Sequence, residues 1–298
     1  MAQFEIYTYQ FQRILKCSQT EMKFEGIPSV ACTDEQWDNR QGLFGKIFDS
    51  NVNLEFRGEK GILLYQVVYN QDNIIIMHLA NEKKKNIDGK DFKPKSITEY
   101  PWCWIIFDNR DGIQRMLIGK NQKAWKKTSV PANIIYRTFD KLMLKYGMHF
   151  SAGERPVYHK QEFWDAINES PQGVNRILFK FPPTNLGRLL NLADNIDAVR
   201  HETCGGVNVD LIATKGGVLN LIKENSQTDS MAELGSAAGH EIKIWRKGVR
   251  TPKVIGNDSV IIEIPETLLN RLCASELFPD DVKEKFIAEL NNIKTSYA

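Results

Sequence analysis

The sequence predicts an α+β protein, with an N-terminal antiparallel β-meander packed on a helix and a C-terminal half of mixed strands and helices. Three observations carry this expectation. Large apolar and polar side chains alternate from Phe4 to Phe11. Apolar, β-branched runs separated by Gly, Asn and Asp follow between residues 54 and 118. A single apolar stripe of helical period then runs from Ser129 to Tyr146.

Alternation at period two buries one face of a strand, so Phe4–Phe11 is read as the opening strand. Residues 18–41 are polar and irregular and are read as a long loop with one helical turn. Leu54–Phe56, Ile62–Tyr69 and Ile74–Leu79 form the meander, because the residues between them tolerate the left-handed backbone that hairpins need. The charged stretch Glu82–Lys95 reads as an exposed loop. Trp102–Phe107 and Gln114–Ile118 make a hairpin around Asp108-Asn109-Arg110-Asp111-Gly112. Ser129 is the expected helix cap, Pro131 fits the first turn, and Gly147 is the expected stop.

Gly and Pro break the pattern at Ser151–Pro156, which divides the chain into a β-rich domain, 1–150, and an α+β domain, 151–298. The back half is read as strands at Arg176–Phe181, Asn208–Ala213, Val218–Lys223, Glu241–Trp245 and Val260–Ile264. Helices are expected at Phe163–Asn168, Pro183–Asn195, Ser230–Ala238, Glu266–Glu276 and Asp280–Lys294.

Composition bounds the function. The 298 residues are 42% hydrophobic and 10% aromatic, enough for a sizeable core and unlike a disordered chain. A net charge of +2 gives no global field to draw the chain to DNA or to an anionic membrane, so any polyanion site must arise from local clustering. The five cysteines, Cys17, Cys32, Cys103, Cys204 and Cys273, are odd in number and widely spaced, which favours free thiols in a reducing compartment. The first residues lack a secretory pattern, and apolar runs such as Ile74–Met77 are far short of the ~20 residues of a membrane helix. A cytoplasmic location without membrane contact is therefore expected.

Two segments mix cations with an indole. Arg110, Arg115, Lys120, Lys123, Lys126 and Lys127 surround Trp125 with a single acid, Asp111. Lys243, Arg246, Lys247, Arg250 and Lys253 surround Trp245 with a single acid, Glu241. Cations neutralise phosphates and an accessible indole stacks on an unpaired base, so both segments are candidate nucleic-acid contacts for DNA or RNA. The same lysines equally serve as guards on hairpin edges.

A second pattern sets an acid on one strand, Asp210, before an acid-x-lysine strand, Glu241-Ile242-Lys243. That arrangement is the one a metal-dependent nuclease uses to hold Mg²⁺ and orient a water. No cofactor is implied apart from Mg²⁺ in this reading. Glycine-rich nucleotide loops, a nucleophile elbow and zinc-protease motifs are absent. His201 and Cys204 lie three apart without a second ligand pair, so no metal site is assigned. A third reading takes the aromatic strands as an interface for a protein partner or a second copy of the chain. Whether any reaction is catalysed stays open.

Residues 42–49, Gly-Leu-Phe-Gly-Lys-Ile-Phe-Asp, together with the Trp102–Asp108 strand, the Asn109-Arg110 turn and Gln114, resemble bacterial proteins encoded in mobile-element and phage-defence loci. The resemblance spans roughly residues 1–150. It implies a defence-associated role and nothing more specific, and supplies no catalytic residue; the nucleic-acid reading is then that of an accessory binding protein in anti-phage defence.

Overall fold

The computed structural model describes residues 1–14, 31–49, 54–59, 61–88, 94–153, 155–181, 207–223, 226–274 and 280–293. By internal contact these form two units. The first comprises Met1–Glu5, Arg13–Phe150 and Ile262–Asn292; the second comprises Ile6–Gln12, Ser151–Ile261 and Ile293. The units interleave in sequence: the opening strand contributes to both, and the C-terminal helices belong to the first. A single division between residues 150 and 151 does not express this.

The first unit is built on an antiparallel sheet. Strands β1 (Ala2–Arg13), β4 (Tyr65–Gln71), β5 (Ile74–Ala80), β8 (Trp102–Asp108), β9 (Arg115–Gly119) and β10 (Met148–Ala152) run in the order β10-β1-β9-β8-β5-β4, and β15 (Ile261–Ile264) also pairs with β1. In the β4-β5-β8-β9 part the last two runs of the expected meander join the expected Trp102–Ile118 hairpin, while Leu54–Phe56, expected as the first strand, lies outside this sheet. Its first turn has Asp72 at φ 54° and Asn73 at φ 58°, the two left-handed residues that a tight hairpin requires. Helix α3 (Ser129–Met143) lays Ile135, Phe139 and Met143 inward. The Phe139 ring lies 5.5 Å from Phe107 of β8, 5.7 Å from Phe150 of β10 and 5.1 Å from Phe44, mostly edge-to-face or tilted, the geometries that ring quadrupoles favour. The helix runs into a 3-10 turn at Leu144–Tyr146 and stops at Gly147, whose φ of 68° is the left-handed cap expected there.

Several elements differ from the sequence expectation. Within residues 18–41, the part described holds two short helices, α1 (Asp34–Asp38) and α2 (Arg40–Lys46), with Thr33 and Gln36 forming a capping box on α1. The run Ile62–Tyr69 is interrupted at Leu64, giving a small hairpin of β2 (Phe56–Gly58) and β3 (Gly61–Leu63) before β4. Glu82–Lys95 is not simply a loop: β6 (Lys83–Asp88) and β7 (Pro94–Glu99) pair as a two-stranded ribbon. Charged residues on both of its faces erased the period-two signal. The cap of α3 is Thr128 rather than Ser129, and Thr128 gives its hydroxyl to Glu5 instead of the helix.

The second unit holds a four-stranded antiparallel sheet in the order β12-β11-β13-β14, formed by β11 (Val174–Phe181), β12 (Val207–Ile212), β13 (Ile242–Arg246) and β14 (Lys253–Ile255). One face packs on α4 (Gln161–Asn168) and α5 (Ser226–Ala237), where Ile177, Phe179, Phe181, Ile242, Ile244 and Ile255 meet Phe163, Trp164, Met231 and Leu234. Val218–Lys223 is not a strand. Leu219 and Leu221 still pack against this core, and Leu219 donates its N–H to the Val174 carbonyl. Its alternation therefore reports burial without a ladder. Helices α6 (Glu266–Ala274) and α7 (Asp280–Asn292) close the described chain. The helix expected at Pro183–Asn195 lies outside the described residues. No described helix is long and apolar enough to cross a membrane.

Candidate nucleic-acid interface

Strand β11 alternates Arg176, Leu178 and Lys180 with Ile177, Phe179 and Phe181. Burying the apolar set against the helices forces the polar set onto the opposite face of the sheet. Cross-strand pairing then arranges three rows on that face. Ile212, Arg176 and Trp245 form the first, and Asp210, Leu178 and Lys243 the second. Asn208, Lys180 and Glu241 form the third, closed by the Lys180 N–H on the Glu241 carbonyl.

The first two rows are knitted by a stacked arginine. Arg176 donates from Nε and Nη2 to the two carboxylate oxygens of Asp210 at 2.9 and 2.7 Å. The same guanidinium lies 4.4 Å from the centre of the Trp245 ring. A bidentate carboxylate fixes the guanidinium plane, and the indole face attracts its charge. The Arg176 side chain is still 40% exposed. Beside it opens a cleft of about 290 Å³ lined by Arg176, Trp245, Lys215, Gly216, Gly217 and Lys247. Lys247 Nζ holds the Gly216 carbonyl at 3.0 Å, and Gly216 has φ 80°, the backbone that glycine adopts without strain.

Glu241 sits at the other end of the face. Lys180 Nζ is 2.6 Å from it, Lys243 Nζ 3.1 Å and Arg155 Nη2 3.9 Å. Burial pushes the Glu241 carboxyl up, and hydrogen bonds from Lys180 and Lys243 outweigh this and hold it below its ordinary value.

The acids singled out from sequence thus share a face without sharing a point. Asp210 and Lys243 flank Leu178 from opposite sides, two strand spacings or about 10 Å apart along the sheet. The Asp210 carboxylate is turned to Arg176, and Glu241 is held by its lysines. No group of three His, Cys, Asp or Glu side chains suited to a metal occurs among the described residues. His201 and Cys204 lie outside them.

The first basic segment belongs to the other unit and behaves differently. Arg115 is 2% exposed and donates twice to the buried Asp108, and also to the Leu290 carbonyl. Arg110 grips the other side of Asp108 at 2.7 and 2.9 Å and reaches Asn291. Arg115 is therefore a core residue that no polyanion reaches, which corrects its reading as a contact, and Arg110 is committed to the same carboxylate. Lys120 faces Glu5 at 3.6 Å. Lys123, Lys126 and Lys127 are exposed around a half-buried Trp125. In the second segment Arg250 and Lys247 are exposed, and Arg246 is half-buried.

Arg176, Lys180 and Lys215 were missed from sequence because charge was counted along the chain. The visible signal was the alternation within β11, which assigns two cations to one face. Of the aromatic strands considered as an interface, Phe4, Ile6, Tyr7, Tyr9 and Phe11 are buried, and Trp104 is 8% exposed while Trp102 is 41% exposed. Cys32 and Cys103 are free and buried, and burial raises both thiols above their ordinary value, Cys103 strongly.

The fold and this face together define an α+β protein with a cationic, partly aromatic sheet surface. Comparison with family models, with curated proteins and with solved structures finds no match to the chain.

Proposed function

We propose that the protein binds nucleic acid through the face of its four-stranded sheet opposite α4 and α5. The observation that carries this reading is the Arg176–Trp245 stack, fixed by Asp210 at the mouth of a cleft lined by Lys215 and Lys247. Arginine planes and indoles are the platforms on which unpaired bases stack, and neighbouring lysines neutralise the phosphates between them. A volume near 290 Å³ lies at the lower end of small-ligand sites and suits a single base or phosphate group. Lys180 and Lys243 extend the cationic track towards Glu241, which tempers it. On the first unit the exposed Lys123, Lys126 and Lys127 are suited to backbone contact.

Binding without cleavage is the better reading of the acids. A metal-dependent nuclease needs its carboxylates on one ion, and here Asp210 serves Arg176 while Glu241 serves Lys180 and Lys243. The setting we propose, an accessory role in bacterial anti-phage defence, rests on the resemblance of residues 42–49 and 102–114 alone.

The test is fluorescence anisotropy with a labelled single-stranded oligonucleotide. Arg176→Ala is expected to weaken binding about tenfold, the scale of one lost stacking platform. Lys215→Ala with Lys247→Ala is expected to lower the slope of log affinity against log salt by about 1.4. Unchanged affinity in both variants removes this face from the function.

A further inference from the structure

The β6–β7 ribbon continues the β5–β8 pair without a change of register. Ala80 faces Trp102, the Asn81 N–H reaches the Pro101 carbonyl at 2.9 Å, and Lys83 faces Glu99 through to Asp88 facing Pro94. The sheet thus sends out one hairpin arm, and the arm pairs with no other described strand. Six residues per strand make it about 20 Å long. Lys84–Ile87 and Lys95–Glu99 are exposed. Two strands alone are marginal in water, so an arm of this kind gains order from what it meets.

We propose that this ribbon is a duplex-DNA reading arm that enters the major groove with Lys84, Asn86, Ser96 and Thr98 towards the base edges. The inference rests on the nucleic-acid reading above and names the duplex as a ligand of the first unit. Pairing sets Lys84 beside Thr98 and Asn86 beside Ser96 on one face. Lysine donates to guanine O6 and N7, asparagine matches adenine N6 and N7, and the hydroxyls serve either base. These four exposed positions offer polar side chains only, and the exposed Ile87 and Ile97 lie on the opposite face. The three consecutive cations Lys83, Lys84 and Lys85 on one strand oppose pairing with a second copy of the same edge. A two-stranded ribbon fits a major groove about 12 Å wide.

The experiment selects binders from a pool of duplexes with a randomised centre, using the full chain. Wild type is expected to enrich a sequence and to lose binding when guanine N7 is methylated in the enriched site. The triple variant Lys84→Ala, Asn86→Ala, Thr98→Ala is expected to enrich none and to bind the wild-type site at least about tenfold more weakly. These positions are exposed, and an unchanged circular dichroism spectrum confirms the fold. Equal binding of duplex by variant and wild type overturns the arm while leaving the sheet-face reading intact. Loss of a dimer by the variant, with DNA binding unchanged, overturns it in favour of a second copy. Binding of neither duplex nor single strand by wild type overturns both readings.

Discussion

Arg115 was expected at the surface and Arg176 was not singled out, and their neighbours decide their roles. Arg115 lies on β9, which is buried along its whole length, and meets Asp108, whose side chain is 0% exposed. Arg176 alternates onto the open side of β11 and meets Asp210 at the surface. Removing one partner of a buried ion pair leaves an uncompensated charge and costs about 3–5 kcal/mol. Arg115→Ala is therefore expected to lower the midpoint of chemical unfolding strongly, whereas Lys247→Ala leaves it near the wild-type value. Equal midpoints for the two variants would show that Arg115 is a surface residue after all. Neither pairing was legible in sequence: Asp108 and Arg115 are seven positions apart across a turn, and Asp210 meets Arg176 only once β11 and β12 are in register.

At the scale of elements, period two was the most readable feature. β1 and α3 lie where alternation and helical spacing put them, and β5 and β8, buried on both faces, lie where continuous apolar runs bounded by turn residues put them. The ribbon was not readable, since neither of its faces is buried and polarity alone mimics a loop. Strand β10 was missed because it begins immediately after the Gly147 stop. The join between α3 and β10 carries a pH-sensitive contact. Asp140 accepts the Phe150 N–H and pairs with His149 Nδ1 at 3.1 Å. That hydrogen bond raises the imidazole above its ordinary value, and burial opposes it more weakly. A raised folded-state value adds stability that is complete below the unfolded value near 6.5 and is lost as pH rises through the folded one. His149 is half exposed, so the contribution is about 0.5 kcal/mol or less. Thermal scans between pH 5.5 and roughly 8.5 are expected to show this small decline in wild type. His149→Ala is expected to lack it, and an identical decline in the variant would assign the effect elsewhere.

For the whole molecule, the α+β class and the meander on its helix followed from pattern, because hydrophobic periodicity is local. The interleaving of the two units did not, since it depends on which distant segments share a core. Charge was the least transferable signal. Both basic segments of a near-neutral chain were candidate nucleic-acid contacts, but the first spends Arg110 and Arg115 on Asp108, and the second gains Arg176, Lys180 and Lys215 from neighbouring strands and turns. In the function we propose, these sheet-face cations and their indole hold a nucleic-acid backbone. The most direct measurement is the affinity of the wild-type chain for a single-stranded oligonucleotide as salt is raised. Displacing three or more phosphate-bound ions predicts a linear fall of log affinity against log salt with a slope of about −2 or steeper. A flat line, or no binding at low salt, contradicts it.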